Sequence, residues 1–373
     1  MSLHQNTLKP LVAIVEPDNL QREAVGIVLS QFYAVADYPD CTHALAGISV
    51  VPPSVILVDE NAGPVNGFML ARQMRAKPEL AHIPVIIASR SSQQMVESRI
   101  VDSGANAYTP KPYRRSTLLH SISAFINASV EVQWEELPPL QREALKNTVE
   151  VFNNISDIID RGEPIAYSAV SDACAPLVEA VNTGDYKGIL GGVKEHDNYS
   201  YAHSLRVATL LSLFGHTVGL PKDDLRILAS GGLLHDVGKM SIPLEVLNKP
   251  GRLTDEEFKV MKGHVHASST YLHACDLPKG IITIAEQHHE KLNGTGYPRG
   301  LKGSELNDLA RMAAIVDVFS ALTDRRVYKP PMEAEKALKI MAEEMGPGHL
   351  DMQLLALFRE MLLDAASGVG QAA

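Results

Sequence analysis

Strand-forming runs in this chain are confined to its first 128 residues. The runs Leu11–Val15, Val55–Val58 and Pro84–Ala88 are continuous, apolar and rich in β-branched residues, which is typical of strands buried on both faces of a parallel sheet. The segments between them, such as Asn66–Ala76, carry apolar residues at helical spacing. Strands and helices that alternate in this way predict a doubly wound α/β domain over residues 10–128, with its ligand site at the carboxyl ends of the strands.

The sequence after about Glu131 contains no further strand signal. Helical patterns separated by Gly and Pro predict an all-α bundle over residues 164–365, and a length of 373 residues agrees with two domains. We expect residues 129–163 to form a helical connector. Its apolar residues follow a heptad-like spacing: Leu145, Val149, Phe152 and Ile159. This helix either pairs with a second copy in a homodimer or lies on its own domain, and the repeat is too short to decide between them.

The composition narrows the class of protein. Apolar residues make up 45% of the chain, yet no apolar run approaches the ~18 residues of a membrane span, and the first residues lack a secretory signal pattern. Cys41, Cys174 and Cys275 lie far apart, which favours a reducing cytoplasm. The net charge of −10 argues against a nucleic-acid polymer as a partner, but not against a small phosphate ligand held by local cations.

Histidine is unusually abundant in the second half of the chain. Nine of the fourteen histidines lie between His196 and His289. Helical spacing turns seven imidazole and carboxyl groups inward on five predicted helices: His203, His235, Asp236, His264, His288, His289 and Asp317. One such residue alone is more often a hydrogen-bonded core residue, but seven together favour transition-metal binding. They exceed the ligands of one tetrahedral ion, so we expect at least two ions, a device known for phosphate-ester hydrolysis.

Polar side chains follow three successive strands of the first domain. Asp59 ends the second predicted strand, Ser89 follows the third, and Lys111 lies in a Thr-Pro-Lys-Pro sequence. This set resembles the receiver domain of response regulators. The resemblance implies a flavodoxin-like fold with a parallel five-stranded sheet, with Asp59 as the phospho-acceptor and Ser89 and Lys111 in contact with the phosphoryl group.

The acidic pair of the receiver resemblance is altered. The family has two adjacent acids after the first strand, whereas this chain reads Glu16-Pro17-Asp18. A Mg²⁺ ion would therefore rest on Glu16, Asp18 and Asp59, because proline offers no ligand. Two interpretations stay open: a receiver with weakened phosphorylation, and a pseudo-receiver kept for dimerisation or docking.

Four motifs of the second domain follow one another in a recognisable order: His235-Asp236-x-Gly-Lys, Lys249-Pro250-Gly251-x-Leu-Thr, His288-His289-Glu290 and Gly294-Thr-Gly296-Tyr297-Pro298. Over about residues 165–360 they resemble an HD-GYP domain, a bacterial subclass of the HD-superfamily phosphohydrolases. The resemblance implies a cyclic di-GMP phosphodiesterase that forms pGpG, or further GMP, through a metal-bridged hydroxide. It also implies two or three ions, iron or manganese before zinc or nickel, held by the same seven residues with Asp236 as the bridge.

Substrate contacts follow from the same resemblance, because the substrate is a dianion and phosphate favours Lys and Arg. Asp236 and Lys239 are the expected catalytic residues, and Lys239 is also expected to bind substrate. Arg326 and Lys329 match the phosphate-holding pair of the family, whereas Asp324 is expected in a surface ion pair with Arg325.

Tyr297 either contacts the ligand or packs its loop onto the bundle, and we favour ligand contact. Three positions depart from the family pattern. Tyr199 stands where three-metal members carry a glutamate, which predicts two ions. Asn293 and Ser320 each replace an aspartate outside the ligand set, which predicts altered support of the ligands.

Two further functions remain open at this stage. The departures at Tyr199, Asn293 and Ser320 are compatible with a catalytically weak cyclic di-GMP sensor that signals through a partner, and an HD phosphohydrolase for another nucleotide is the third hypothesis. The receiver resemblance implies a sensor histidine kinase in two-component signalling. The HD-GYP resemblance implies a GGDEF-domain protein as a further candidate partner.

Overall fold

A computed structural model describes residues 10–30, 32–193, 196, 199–247, 249, 251–324 and 332–367. The chain divides into two compact units, Met1–Val132 and Gln133–Ala373. The described helices include none with both the length and the apolar character needed to span a lipid bilayer.

The first unit is a parallel five-stranded sheet with helices on both faces. Its strands are β1 (Leu11–Val15), β2 (Ala34–Tyr38), β3 (Val55–Asp59), β4 (Val85–Ser89) and β5 (Ala107–Pro110), in the order β2-β1-β3-β4-β5. Its helices are α1 (Asn19–Ser30), α2 (Cys41–Val50), α3 (Gly67–Arg75), α4 (Gln93–Ser103) and α5 (Arg115–Trp134). This strand order is that of the flavodoxin-like fold, so the predicted fold class is confirmed.

Alternating residues of the central strands enter two separate cores. Val15, Val58 and Ile87 pack with residues of α2 and α3 on one face of the sheet. Ile14 and Leu57 pack with residues of α1 and α5 on the other face. Burial on both faces explains why these strands are continuous apolar runs instead of alternating ones.

The second unit is helical. Its α-helices are α6 (Pro139–Asp160), α7 (Tyr167–Thr183), α8 (Lys187–Val193), α9 (Tyr199–Thr217), α10 (Lys222–Leu234), α11 (Leu244–Leu247), α12 (Asp255–His273), α13 (Lys279–Gln287), α14 (Asp308–Thr323), α15 (Ala334–Ile340), α16 (Gly346–His349) and α17 (Met352–Ser367). Short 3₁₀ turns occupy Val237–Ser241 and Gly303–Glu305, and Met341–Met345 is a π turn.

Close packing brings the carboxyl end of α10, which precedes His235, against α9. A Cβ atom on Gly232 of α10 would lie 2.6 Å from the Cα atom of Ala208 on α9. Only glycine allows the two backbones to approach this closely. The approach places the carboxyl end of α10 beside the third turn of α9.

The predicted connector helix packs within the second unit. Leu145 and Thr148 of α6 are buried, and the Thr148 hydroxyl lies 3.1 Å from the Tyr201 hydroxyl of α9. The Tyr201 hydroxyl also donates to the Leu145 carbonyl at 3.1 Å. The boundaries 10–128, 129–163 and 164–365, and the homodimer, stay predictions.

Candidate metal centre and receiver site

The seven predicted metal ligands of the second unit converge in one cluster. His203 lies in α9, His264 in α12 and Asp317 in α14, while His235 and His288 cap the carboxyl ends of α10 and α13. Asp236 and His289 directly follow the two capping histidines. The sequence-based grouping by helical face is therefore reproduced in space.

Asp236 occupies the middle of the cluster. Its Oδ2 atom lies 3.1 Å from His235 Nε2 and 3.7 Å from His203 Nε2. Its Oδ1 atom lies 3.3 Å from His264 Nε2 and 3.9 Å from His288 Nε2. The two carboxylate oxygens therefore face different imidazoles, as a carboxylate that bridges two ions must.

Asp317 provides a second carboxylate at the same place. Its Oδ1 atom lies 3.1 Å from His203 Nε2 and 3.7 Å from His235 Nε2, and its Oδ2 atom lies 3.7 Å from His289 Nδ1. Three sets of groups have ligand atoms within 4.8 Å of one another: His264 with His288 and His289, His203 with His235 and Asp317, and His235 with Asp236 and His288. Two of these sets share His235, so adjacent ion positions are available.

Several inward atoms of the cluster lack hydrogen bonds. Among the described residues, the Nε2 atoms of His235, His264 and His288 and the Oδ1 atom of Asp236 are buried without a hydrogen-bond partner. Buried polar atoms without partners are costly and call for an explanation, such as an ion at the site. The donor set thus fits divalent transition metals.

The outer ring nitrogens fix how these imidazoles are oriented. His235 Nδ1 lies 2.7 Å from the Gly232 carbonyl, and His264 Nδ1 lies 2.7 Å from the Met261 carbonyl. His288 Nδ1 lies 3.0 Å from the Ala285 carbonyl. An Nδ1–H that donates to a carbonyl leaves the lone pair on the inward Nε2, which is the tautomer a metal requires.

Burial and charge tune the cluster toward cation binding. Burial lowers the pKa of His288 well below its usual value and that of His289 to about 4, so both imidazoles are neutral. Burial alone would raise the pKa of Asp236, but His235 and Lys239 hold it well below its usual value. Burial also opposes the charged form of His235, yet Asp236 and Asp317 raise its pKa to about 10. The carboxylates are therefore ionised and attract positive charge.

The turn after Asp236 depends on glycine. A Cβ atom on Gly238 would lie 2.0 Å from the His264 carbonyl oxygen of α12. The Gly238 N–H donates to the Ser268 hydroxyl at 2.8 Å, and that hydroxyl donates to the His235 carbonyl at 3.1 Å. This contact explains the glycine of the His-Asp-x-Gly-Lys motif, because it seats the dyad directly against the helix that carries His264.

Two predicted substrate residues lie at the cluster. The Lys239 ammonium pairs with Asp236, and the Tyr297 ring lies 4.7 Å from the His289 ring, centroid to centroid. Arg326 and Lys329 lie outside the described residues, as does the side chain of Tyr199. Sequence reasoning missed Lys262, whose Nζ atom lies 5.7 Å from the centroid of the Tyr297 ring.

The loop that carries Tyr297 is held by a buried carboxylate. Glu290 accepts backbone hydrogen bonds from Arg299 at 2.7 Å, Gly300 at 3.1 Å and Leu301 at 3.0 Å. The Tyr297 N–H donates to the His289 carbonyl at 3.2 Å. The His-His-Glu motif by itself does not indicate that Glu290 anchors this loop; its three backbone hydrogen bonds in the structure do.

Asn293 and Ser320, two positions that depart from the family pattern, have different surroundings in the structure. Asn293 Oδ1 accepts hydrogen bonds from the Thr295 N–H at 3.0 Å and the Thr295 hydroxyl at 2.7 Å, so it shapes the loop. Ser320 is buried in α14, and its hydroxyl has no hydrogen-bond partner among the described residues. Arg325, the expected ion-pair partner of Asp324, lies outside the described residues; the Asp324 side chain is largely buried instead of lying at the surface, and its carboxylate contacts His203.

The receiver-like site of the first unit is built around Lys111. Its ammonium pairs with both Glu16 and Asp59, and all three side chains are largely buried. Asp18 is exposed, and its carboxylate accepts the Gln21 N–H at 2.9 Å at the start of α1. The structure therefore brings Glu16 and Asp59 together, whereas Asp18 has a helix-capping contact.

Ser89 has a partner that the sequence did not indicate. Its hydroxyl donates to the carboxylate of Glu60, the residue after Asp59. Glu60 is buried, and its other oxygen lies 3.2 Å from Arg99 Nη1 of α4.

Comparison with known proteins gives matches to both units. A model of the response regulator receiver domain matches residues 12–123, and a model of the HD domain matches residues 193–354. A cyclic di-GMP phosphodiesterase of Pseudomonas aeruginosa is 39% identical over 167 residues, which are 44% of this chain and 40% of that protein. A probable cyclic di-GMP phosphodiesterase of Vibrio cholerae is 29% identical over 360 residues, 93% of this chain and 76% of that protein.

A third relative is named for another cyclic dinucleotide. The 3'3'-cGAMP-specific phosphodiesterase 1 of Vibrio cholerae is 36% identical over 162 residues, which are 43% of this chain and 38% of that protein. The matched region thus spans less than half of the length of the Pseudomonas relative and less than half of the length of this Vibrio relative.

Proposed function

Because the chain joins a response regulator receiver domain to an HD domain, we propose that it is a response-regulator-type phosphodiesterase that hydrolyses cyclic di-GMP. The helical unit carries out the hydrolysis, and the receiver adjusts it in response to a sensor histidine kinase. The product is linear pGpG, and further cleavage would give GMP.

The convergence of the seven ligand groups carries this proposal. They arrive from five helices, and three imidazole Nε2 atoms and one carboxylate oxygen point inward without hydrogen bonds. A pair of divalent ions, when bound, supplies an activated water and positive charge for the phosphoryl transition state. Iron or manganese suits this mixed imidazole and carboxylate set, and two ions follow from the tyrosine at position 199.

The protein's own side chains have distinct tasks in this reaction. Asp236 and Asp317 present four carboxylate oxygens toward the imidazoles. Lys239 lies beside Asp236 and is partly exposed, so its ammonium can meet a phosphate of the incoming dianion. Tyr297 covers His289 and limits access of bulk water from that side.

Hydrolysis of 3'3'-cGAMP is a second candidate function. It is favoured by the 36% identity to a phosphodiesterase named for that substrate. The two substrates share the cyclic phosphodiester ring and differ in one base, so the metal cluster would serve either. Discrimination between the two substrates would depend on the residues that contact the bases.

Anaerobic purification, elemental analysis and product chromatography test the proposal. We expect two ions per chain and multiple turnovers of cyclic di-GMP, with 3'3'-cGAMP run in parallel. Asp236→Ala should reduce turnover below detection while circular dichroism stays helical. His266→Ala is the matched control, because His266 is exposed on α12 two residues beyond His264.

Three results would count against this mechanism. Undiminished activity after removal of metal would exclude a reaction that depends on two bound metal ions. Three ions per chain would contradict the argument from Tyr199. Tight binding without repeated turnover would identify the protein as a cyclic di-GMP sensor.

A further inference from the structure

Asp324 lies just beyond the last residue of α14 and turns inward. Its backbone is extended, with φ −72° and ψ 146°, and its N–H donates to the Ser320 carbonyl at 2.7 Å. Its side chain is only 9% exposed. A carboxylate at this depth requires charged or hydrogen-bonding partners.

Both partners of the Asp324 carboxylate come from one face of α9. Its Oδ2 atom lies 2.8 Å from His203 Nδ1, and its Oδ1 atom lies 3.3 Å from Arg206 Nη1. Arg206 also donates to the Thr323 hydroxyl at 2.9 Å, next to Asp324 in the chain. The shorter of the two contacts of the carboxylate is therefore the one to the His203 imidazole, and Arg206 makes a second, longer contact.

His203 differs from three other histidines of the cluster in its outer partner. The Nδ1 atoms of His235, His264 and His288 face backbone carbonyls. The Nδ1 atom of His203 faces a carboxylate, while its Nε2 atom lies 3.1 Å from Asp317 Oδ1. An ionised acceptor makes a stronger hydrogen bond than a carbonyl and increases the donor strength of the opposite ring nitrogen.

We propose that Asp324 is a positioning residue of the metal centre, which orients His203 so that its Nε2 atom faces the ion site beside Asp317 and Asp236. The inference rests on the proposed metal-binding function. Ser320 replaces an aspartate of the family pattern, and Asp324, four residues later and just beyond the end of α14, supplies a carboxylate near that position. Because Asp324 acts through His203, a substitution of Asp324 can remove this support without changing any of the proposed metal ligands.

Metal affinity of the full-length protein tests the role. We would titrate Mn²⁺ into chelator-treated wild type, Asp324→Ala and Asp324→Asn, and measure affinity by calorimetry and turnover at each metal concentration. Asp324→Ala should bind Mn²⁺ about 10- to 100-fold more weakly. Asp324→Asn keeps an oxygen acceptor of the same shape and should lie between the alanine variant and wild type. High Mn²⁺ should restore most of the turnover in both variants.

Two controls separate positioning from a purely structural ion pair. Asp308→Asn changes a carboxylate at the opposite end of α14, and because the Asp308 side chain is 81% exposed the variant should leave Mn²⁺ affinity unchanged. Arg206→Met removes the ion pair but keeps the contact between Asp324 and His203, so it should lower Mn²⁺ affinity less than Asp324→Ala does.

Failure of this inference is distinguishable from failure of the proposed function. If wild type binds Mn²⁺ and turns over substrate while both Asp324 variants bind Mn²⁺ within twofold of it, the positioning role is wrong and the function stands. Equal losses of affinity in Arg206→Met and Asp324→Ala would also overturn it. If wild type binds no ion, both the function and the inference fail.

Discussion

Two imidazoles and two carboxylates of the cluster are held in the protonation states that a metal needs, whereas the raised pKa of His235 means that an ion must displace its proton. His288 and His289 are neutral because burial lowers the pKa of each, and the neighbouring carboxylates stay ionised. Without an ion, the negative charge of Asp236 and Asp317 is balanced by the proton that His235 binds and by the Lys239 ammonium. Removal of metal should therefore make the stability of this unit depend on pH.

The pKa of His289, about 4, predicts acid sensitivity of the metal-free protein. Between pH ~6.5 and about 4 the unfolded chain binds a proton on this imidazole that the folded chain does not, so the free energy of unfolding falls as the pH falls. The effect is on the order of 1–3 kcal/mol over that window. Denaturant titrations in chelator at several pH values would measure it. His289→Gln should flatten the dependence, whereas His266→Gln should not, and identical slopes in all three proteins would contradict the assignment.

Gly238 offers a steric prediction. Gly238→Ala would place a Cβ atom against backbone atoms of α12, 2.0 Å from the His264 carbonyl and 2.5 Å from the Ser268 nitrogen. The backbones must separate, so we expect a loss of roughly 2–4 kcal/mol of stability and weaker metal binding. Gly191→Ala is the control, since nothing lies within 4 Å of its Cβ position. Similar melting temperatures for the two variants would argue against the close contact.

At the scale of elements, the helices present their ligands through their ends and their buried faces. His235 and His288 follow the last residues of α10 and α13, where the helices stop and the chain turns. His264 lies within α12, so its position depends on where that helix begins. The Thr254–Glu257 sequence matches a capping box, and the structure contains both of its reciprocal hydrogen bonds.

Loss of this cap should destabilise α12. In Thr254→Ala the Glu257 N–H loses its acceptor, the Thr254 hydroxyl at 3.3 Å, which should cost about 1 kcal/mol of stability. Thr254→Ser keeps the acceptor and should stay near wild type. Urea titrations would compare the midpoints, and an unchanged midpoint in the alanine variant would mean that tertiary packing alone determines the start of the helix.

At the scale of the whole molecule, one chain carries a receiver-like site in its first unit and a candidate metal site in its second. The regulatory site retains a buried Asp59 beside Lys111 and Glu16, but one of its expected acids, Asp18, is exposed. Ser89 is hydrogen-bonded to Glu60. We expect a receiver that accepts a phosphoryl group slowly, because Asp59 lies beside Lys111 while Asp18 is exposed, and the pseudo-receiver stays the alternative.

Treatment of the intact protein with a small phosphodonor and Mg²⁺ should therefore modify Asp59 slowly and in part. Intact mass spectrometry would detect the gain of one phosphoryl group, and Asp59→Asn should remove it. Turnover of cyclic di-GMP before and after the treatment would then report whether the receiver controls the helical unit. No gain of mass on the wild-type protein would favour the pseudo-receiver.

Local patterns in the sequence were sufficient to predict the parallel sheet of the first unit and the inward-facing groups of the second. Continuous apolar runs predicted the buried parallel sheet, and helical spacing selected the seven inward groups, because both reflect which face of an element avoids water. Helical spacing alone would group Phe258 of α12 with the buried Val265, seven residues later, yet the Phe258 side chain is 45% exposed. That helix begins near the surface, so its first turn is not covered.

Only the tertiary structure decided which side chains meet. Asp324 reaches His203 across 121 residues of sequence, and Ser89 pairs with Glu60 across 29 residues. Periodicity identifies the buried face of a helix or strand but not the group that lies opposite it. The sequence therefore predicted a surface charge at Asp324, whereas the tertiary structure places its carboxylate against His203 of the candidate metal site.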